Sequence, residues 1–145
     1  MILFLLLALA AGVLLPVQAG LNAQLRSALG SPVAAALVSF LVGTAGLATV
    51  AVLLRTPLPL GHAWAGTTPW QWSGGLIGAV YVLAAIVLAP RLGAATLIAA
   101  VVAGQMITSL ALDHYGLVGF PVHALTPVRL LGAALVIAGV ILIQR

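Results

Sequence analysis

Three hydrogen-bonding side chains lie close together within the fourth of the chain's long apolar segments. Gln105, Thr108 and Ser109 are three and four residues apart, so on a helix they form one stripe. An amide and two hydroxyls can bind polar groups of a substrate, and polar side chains within a membrane usually face the bundle interior or a wet path. For Thr108 and Ser109 we favour a structural alternative, in which each hydroxyl bonds back to its own helix.

A second set of candidate substrate-binding side chains comes from the first and third apolar segments. Gln18, Asn22 and Arg26 recur every four residues and therefore share one helix face. We expect Gln18 and Asn22, together with Tyr81, to lie opposite Gln105 and its stripe. For the three amides, a substrate-binding role and an interhelical hydrogen bond are equally favoured.

The carboxylate Asp113 stands where the fourth segment leaves the membrane, and no other acidic residue occurs in the chain. Such a group is a candidate for ion coupling or gating. Arg129 falls on the same side of the membrane, so we favour a structural ion pair between the two. His114 and His123 have no companion set of metal ligands. The sequence therefore predicts no metal site and no cofactor.

The composition excludes most other chemistry. Five basic residues and one acidic residue occur among 145, and 64% of the residues are hydrophobic, which leaves no polar surface to face water. There is no cysteine, no pair of carboxylates, no nucleophile elbow and no phosphate-binding loop. Five arginines at segment ends form no patch able to track a phosphate backbone. We predict an integral membrane protein that is not an enzyme and does not bind nucleic acid.

Five apolar stretches approach the length that a helix needs to cross a bilayer. The hydrocarbon core is roughly 30 Å thick, which takes about 20 residues at about 1.5 Å each. We predict one all-α domain over residues 1–145, a bundle of five transmembrane helices. The helices are expected at about 2–29, 32–54, 72–89, 92–112 and 126–143. The fifth is the weakest, because Arg129 must extend towards the headgroups.

Glycine, serine and proline mark the helix boundaries. Gly30 is expected to end the first helix, and Ser31 followed by Pro32 to begin the second, with serine as the cap and proline in the first turn. Pro16, inside the first helix, should bend it and face protein or a cavity. The run Pro90–Gly93 predicts a short turn between antiparallel helices three and four.

The arginines are nearly balanced between the two sides of the membrane. If the N-terminus is on side one, Arg55 and Arg129 share that side, and Arg26, Arg91 and Arg145 lie opposite. Orientation follows the arginine and lysine imbalance of short loops, so a difference of one is a weak signal. Two alternatives stay open: mixed insertion, which permits antiparallel dimers, and a fixed topology with the C-terminus inside.

Five short motifs in this order resemble the YdcZ-like family of the drug/metabolite transporter superfamily. They cover nearly the whole chain and are Pro16-Val-Gln-Ala-Gly-Leu-Asn22, Pro90-Arg-Leu-Gly-Ala-Ala-Thr96, Gly104-Gln-Met-Ile-Thr-Ser109, Asp113-His-Tyr-Gly116 and Arg129-Leu-Leu-Gly132. The resemblance implies a five-helix, multi-pass protein of the bacterial inner membrane, equivalent to half of the ten-helix transporters of that superfamily. In those transporters the two halves are inverted copies, so an antiparallel homodimer would supply the same arrangement.

One departure limits what the resemblance implies about substrates. Small multidrug resistance proteins, which are similar in outline, have a proton-exchanging glutamate in helix one, and this chain has no acidic residue there. A neutral, anionic or lipid-like substrate fits better than a hydrophobic cation, whose burial without a countercharge is expensive. We predict a transporter or exporter of a small metabolite or amphiphilic compound by alternating access. The alternative is a noncatalytic membrane subunit or lipid-binding protein that needs a second, related chain.

Overall fold

The computed structural model describes residues 2–58, 61 and 66–143, and within these ranges it contains helices and no strand. Arg145, which entered the charge count, lies outside the described residues. A single 3-10 turn, Leu117–Gly119, lies in the last connection. The helices are α1 (Ile2–Leu29), α2 (Pro32–Leu53), α3 (Pro69–Trp72), α4 (Gly74–Leu92), α5 (Ala94–Tyr115) and α6 (Pro127–Ile143).

Four stretches of helix are long and apolar enough to cross a membrane. They are α1, α2, α3 together with α4 (Pro69–Leu92), and α5. The described part of α6 has 17 residues, which corresponds to a rise of about 26 Å. The chain is therefore an all-helical integral membrane protein with four spanning candidates in the described part, and a fifth crossing by α6 stays a prediction.

The boundary between α1 and α2 follows the signals in the sequence. Gly30 adopts φ +70°, a conformation that favours glycine, and its N–H donates to the Arg26 carbonyl at 2.9 Å. Ser31 is extended, with φ −142°, and its hydroxyl oxygen accepts from the Ala34 N–H at 3.3 Å. Pro32 occupies the first helical turn, where its missing N–H costs no hydrogen bond. These boundary predictions are confirmed.

The boundary between α4 and α5 is tighter than the expected four-residue turn. Helix α4 continues through Pro90 and Arg91 to Leu92, and Gly93, with φ +76°, alone separates it from α5. Proline in the last turn removes one hydrogen bond, to the carbonyl of Ile86 four residues earlier. The Arg26 guanidinium donates to that carbonyl, with Nη1 3.3 Å from the oxygen. The lost backbone bond is replaced by a side chain, so the helix need not end at Ala89.

The C-terminal end of α5 lies three residues beyond the expected Leu112. Gly116 adopts φ +62° and its N–H donates to the Leu112 carbonyl, which closes the helix with a left-handed cap. A Cβ at Gly116 would lie 2.7 Å from Cγ2 of Val122, so any side chain at this position would clash with the segment that follows α5. Asp113 therefore belongs to the last helical turn of α5.

The chain forms two compact units. Unit 1 comprises residues 1–16 and 92–145, and unit 2 comprises Val17–Arg91. In unit 1, α5 packs along α6 with Leu97, Leu110 and Ala133 buried. The single domain expected over 1–145 stays a prediction.

Small residues let the helices of unit 2 approach closely. Ala35 and Ala36 of α2 pack against Val82 and Ile86 of α4, and Ala35 and Ile86 are both 0% exposed. Close approach of alanine-faced helices is the usual means of association in lipid, where van der Waals packing replaces the hydrophobic effect.

Candidate functional site

The stripe predicted on α5 consists of exposed side chains. Gln105, Thr108 and Ser109 are all exposed, and none makes a side-chain hydrogen bond within the part of the chain that the structure describes. Gln105 stands about midway along α5. These three donors and acceptors are available to a ligand or to another chain.

The structure does not show the bond back to their own helix that we favoured for Thr108 and Ser109, since neither hydroxyl makes a hydrogen bond among the described residues. Such bonds do form elsewhere: Ser27 Oγ donates to the Ala23 carbonyl at 3.2 Å, and Thr49 Oγ1 to the Ala45 carbonyl at 2.9 Å. The rotamers of Thr108 and Ser109 do not repeat this geometry. Rotamer choice depends on the environment of each side chain, which the sequence does not display.

The face predicted on α1 carries three different environments. Asn22 is 7% exposed, Arg26 is half-buried and bonded to the Ile86 carbonyl, and Gln18 is exposed. The Asn22 amide makes no side-chain hydrogen bond among the described residues. Gln18 and Asn22 belong to unit 2 and the Gln105 stripe to unit 1, so the predicted juxtaposition of the two groups stays a prediction.

Tyr81 lies against the alanine-rich core of unit 2. It is half-buried and packs on the cluster formed by Ala35, Ala36, Val82 and Ile86. This placement gives the ring a packing role. Its assignment as a substrate-binding residue stays a prediction.

A cleft of about 230 Å³ in unit 2 brings Gln18 together with polar residues of α2. We call it the Gln18 cleft; its lining is Gln18, Ser39, Phe40, Gly43, Thr44, Leu47 and Val82. Ser39 and Thr44 were not among the binding residues predicted from the sequence. The available signal was the occurrence of hydroxyls within a helix that is otherwise apolar, with Ser39, Gly43 and Leu47 four residues apart on one face.

A larger groove in unit 1 is almost entirely apolar. It measures about 580 Å³ and is lined by α5, α6 and Pro16 of α1. The expectation that Pro16 faces protein or a cavity is confirmed. The rest of the lining is Ala94, Ala95, Ile98, Ala99, Val102, Val136, Gly139, Val140 and Ile143. Without polar groups the groove has no means of orienting a polar substrate.

Asp113 and Arg129 form the ion pair expected at the end of α5. Nη2 of Arg129 donates to Oδ2 of Asp113, and the two side chains are 34% and 24% exposed for Arg129 and Asp113 respectively. Nη1 of the same guanidinium donates to the His123 carbonyl at 3.0 Å. The pair therefore joins α5, α6 and the segment between them, and a role in coupling or gating stays a prediction.

Three further bonds fasten the segment between α5 and α6. The His123 N–H donates to the Asp113 carbonyl at 2.8 Å, and the Leu125 N–H donates to Nδ1 of His114 at 3.3 Å. The Arg129 N–H donates to Thr126 Oγ1 at 3.3 Å. Because Nδ1 of His114 accepts, its other ring nitrogen carries the proton in this arrangement. Asp113, His114, His123, Leu125, Thr126 and Arg129 are called the α5–α6 clasp.

No metal centre is apparent at the α5–α6 clasp or elsewhere among the described residues. Within the described residues, no group of three or more histidine, cysteine, aspartate or glutamate side chains is placed to hold an ion. The clasp is instead occupied by protein groups: its carboxylate, its guanidinium and one imidazole nitrogen all have protein partners.

Comparison with known proteins identifies the family. The family model described as "Putative inner membrane exporter, YdcZ" matches residues 3–142. The chain is 32% identical to the inner membrane protein YdcZ of Escherichia coli K12 over 137 residues, which cover 94% of this chain and 91% of that relative. No solved structure matches the chain. The chain therefore belongs to the YdcZ-like family of membrane transporters and is a multi-pass protein of the bacterial inner membrane.

Proposed function

We propose that this protein is a secondary transporter that exports a small metabolite or amphiphilic compound, working by alternating access as an antiparallel homodimer. The observation that carries the proposal is the stripe of Gln105, Thr108 and Ser109 on α5. Its side chains are exposed and make no hydrogen bond within the described residues. Membership of the family described as "Putative inner membrane exporter, YdcZ" supports this class of function.

The stripe stands at a depth where exposure to lipid is expensive. Gln105 is near the middle of a 22-residue apolar helix, so it lies near the bilayer midplane if α5 spans the membrane. A polar group without a hydrogen bond in hydrocarbon costs several kcal/mol, roughly 2 to 7 for an amide or hydroxyl. The stripe must therefore meet a partner chain, a substrate or water. A transport route at a dimer interface supplies all three.

An odd number of crossings supports inverted pairing. With α6 as a fifth crossing, the two ends of the chain lie on opposite sides of the membrane. The 17 residues of α6 rise about 26 Å, close to the roughly 30 Å of hydrocarbon, and Arg129 near its start can reach the headgroups. Two oppositely inserted copies then form the inverted pair typical of secondary transporters.

In this proposal the polar groups take separate roles. Gln18, Asn22, Gln105 and Tyr81 line the central site, with Thr108 and Ser109 at its edge. Asp113 and Arg129 hold one end of the route closed through their ion pair. Membrane lipids and a small-molecule or lipid-like substrate are the other partners.

Transport in proteoliposomes tests the site directly. A panel of radiolabelled aromatic solutes, neutral, anionic and cationic, is offered to the wild-type protein and to Gln105→Ala and Asn22→Ala variants. We expect both variants to lose at least tenfold in the rate for whichever solute is moved. Thr49→Val is the matched control, because Thr49 is exposed but bonded to its own helix. Wild-type rates in folded Gln105→Ala and Asn22→Ala would refute the site, and the absence of any transport without a second chain would favour the subunit alternative.

A further inference from the structure

We propose that the Gln18 cleft binds the uncharged, hydrogen-bonding end of a small amphiphilic solute, with Gln18, Ser39 and Thr44 as its polar contacts. The inference deepens the proposed transport function, on which its biological use rests, by narrowing the substrate class to neutral compounds. It also assigns Ser39 and Thr44 of α2 as binding residues.

The polar groups of the cleft are free to bind a ligand. Gln18, Ser39 and Thr44 all line it, and none of the three makes a side-chain hydrogen bond among the described residues. Thr49, on the same helix, shows the contrast, because its hydroxyl is occupied by the Ala45 carbonyl at 2.9 Å. One amide and two hydroxyls together offer both donors and acceptors.

The cleft contains no charge that would stabilise an ion. None of its seven lining residues is titratable. Arg26 shares a face of α1 with Gln18, but its guanidinium donates to the Ile86 carbonyl. An anion or a cation would lose part of its hydration in the cleft without gaining a countercharge, which is more costly than burying a neutral amide or hydroxyl that forms hydrogen bonds.

The walls and the volume define the rest of the ligand. Phe40, Leu47 and Val82 supply apolar surface, and the ring of Phe40 can pack edge-to-face on an aromatic group. The volume of about 230 Å³ equals roughly eight water molecules and lies below the roughly 300 Å³ at which complete ligand pockets begin. The cleft therefore holds one end of a solute, in which a hydroxyl, amide or carbonyl is joined to a ring or short apolar group.

Protection of an introduced cysteine from alkylation tests binding without requiring transport. The chain has no native cysteine, and a Cβ at Gly43 would meet no atom within 4 Å, so Gly43→Cys places a thiol in the cleft without a clash. Gly46→Cys is the matched control, on the same helix, equally open and outside the cleft lining. The protein in nanodiscs is treated with N-ethylmaleimide, with or without benzamide, benzoate or benzylammonium.

We expect benzamide to slow alkylation of Gly43→Cys at least threefold and to leave Gly46→Cys unchanged. Benzoate and benzylammonium, which have nearly the same shape but carry a charge, should protect at least tenfold less well. Thr44→Val in the Gly43→Cys background should raise the half-protecting benzamide concentration about three- to tenfold, the loss expected for one hydrogen bond. Thr49→Val should leave that concentration unchanged.

Four results would overturn the proposal. The first two are no protection of Gly43→Cys by benzamide, and protection by benzoate or benzylammonium equal to that by benzamide. The other two are equal shifts of the half-protecting concentration by Thr44→Val and Thr49→Val, and a Gly43→Cys thiol that does not react because water does not reach the cleft. Failure of the transport proposal gives a different pattern. Selective protection by benzamide without transport of any solute would keep the binding site and refute the transporter.

Discussion

The middle and the end of α5 differ in how their polar groups are satisfied. At the end, Asp113 pairs with Arg129, and His114 accepts from the Leu125 N–H. These polar groups of the clasp already have protein partners, so few of them are available to a ligand. In the middle, the exposed stripe of Gln105, Thr108 and Ser109 makes no side-chain bond within the described residues. The same helix thus carries a structural polar cluster and an unoccupied one, about two turns apart.

The difference separates polar groups that hold the fold from polar groups that are available for function. A group with a protein partner costs stability when it is removed, because its partner is left unsatisfied. A group without a partner costs little stability when it is removed, so its presence within a membrane segment needs another reason. By this criterion the Gln105 stripe and the Gln18 cleft are functional candidates, and the clasp is first a structural element.

The largest loss of stability is expected at the clasp. Arg129→Met removes the ion pair and the bond to the His123 carbonyl, and leaves the Asp113 carboxylate unpaired. We expect the free energy of unfolding to fall by about 2 kcal/mol, less than for a fully buried pair because both side chains are partly exposed. Unfolding by SDS titration in mixed micelles measures this change. Arg91→Met, at an exposed arginine, is the matched control, and an equal loss there would contradict the structural role of the clasp.

A smaller, conditional loss is expected at Arg26. Arg26→Met leaves the Ile86 carbonyl without the donor that compensates for Pro90, which should cost about 1 kcal/mol. In the Pro90→Ala background the alanine N–H can bond to that carbonyl, so Arg26→Met should cost less there by about 0.5 to 1 kcal/mol. The same SDS titration of all four proteins gives the coupling. Additive effects would show that the arginine does not substitute for the missing backbone bond.

The smallest effect on stability is expected at the stripe. Gln105→Leu, Thr108→Val and Ser109→Ala remove no hydrogen bond within the described residues, so each should change the free energy of unfolding by less than about 0.5 kcal/mol. Transport should fall nonetheless. A loss of stability at the stripe as large as that of Arg129→Met would show that the stripe also holds the fold, and would contradict its assignment as a functional site.

Local signals in the sequence predicted most of the helix boundaries and one contact. Gly30, Ser31 and Pro32 determine a cap through their own backbone and side-chain atoms, so no knowledge of packing was needed. The Asp113–Arg129 pair followed from opposite charges on the same side of the membrane. Local chemistry of this kind is visible in the sequence.

The features that depend on neighbouring helices could not be predicted in the same way. Pro90 is typical of a helix stop because it leaves the Ile86 carbonyl without its backbone donor. Arg26, which precedes Ile86 by 60 residues, donates to that carbonyl, and α4 continues. The rotamers of Thr108 and Ser109 and the convergence of Ser39 and Thr44 on Gln18 also depend on tertiary structure. The end of α5 is a different case, since Gly116 marked it and was not used.

Cysteine accessibility tests most directly whether the protein forms an inverted pair. Ser27→Cys and Thr56→Cys, introduced separately, place exposed thiols in the last turn of α1 and just after α2. These two positions lie on opposite sides of the membrane if α2 spans it. Intact cells are labelled from outside with a membrane-impermeant maleimide. Antiparallel assembly predicts that each site labels in a fraction of the molecules. Labelling of only one of the two sites would show a single orientation and contradict the antiparallel homodimer.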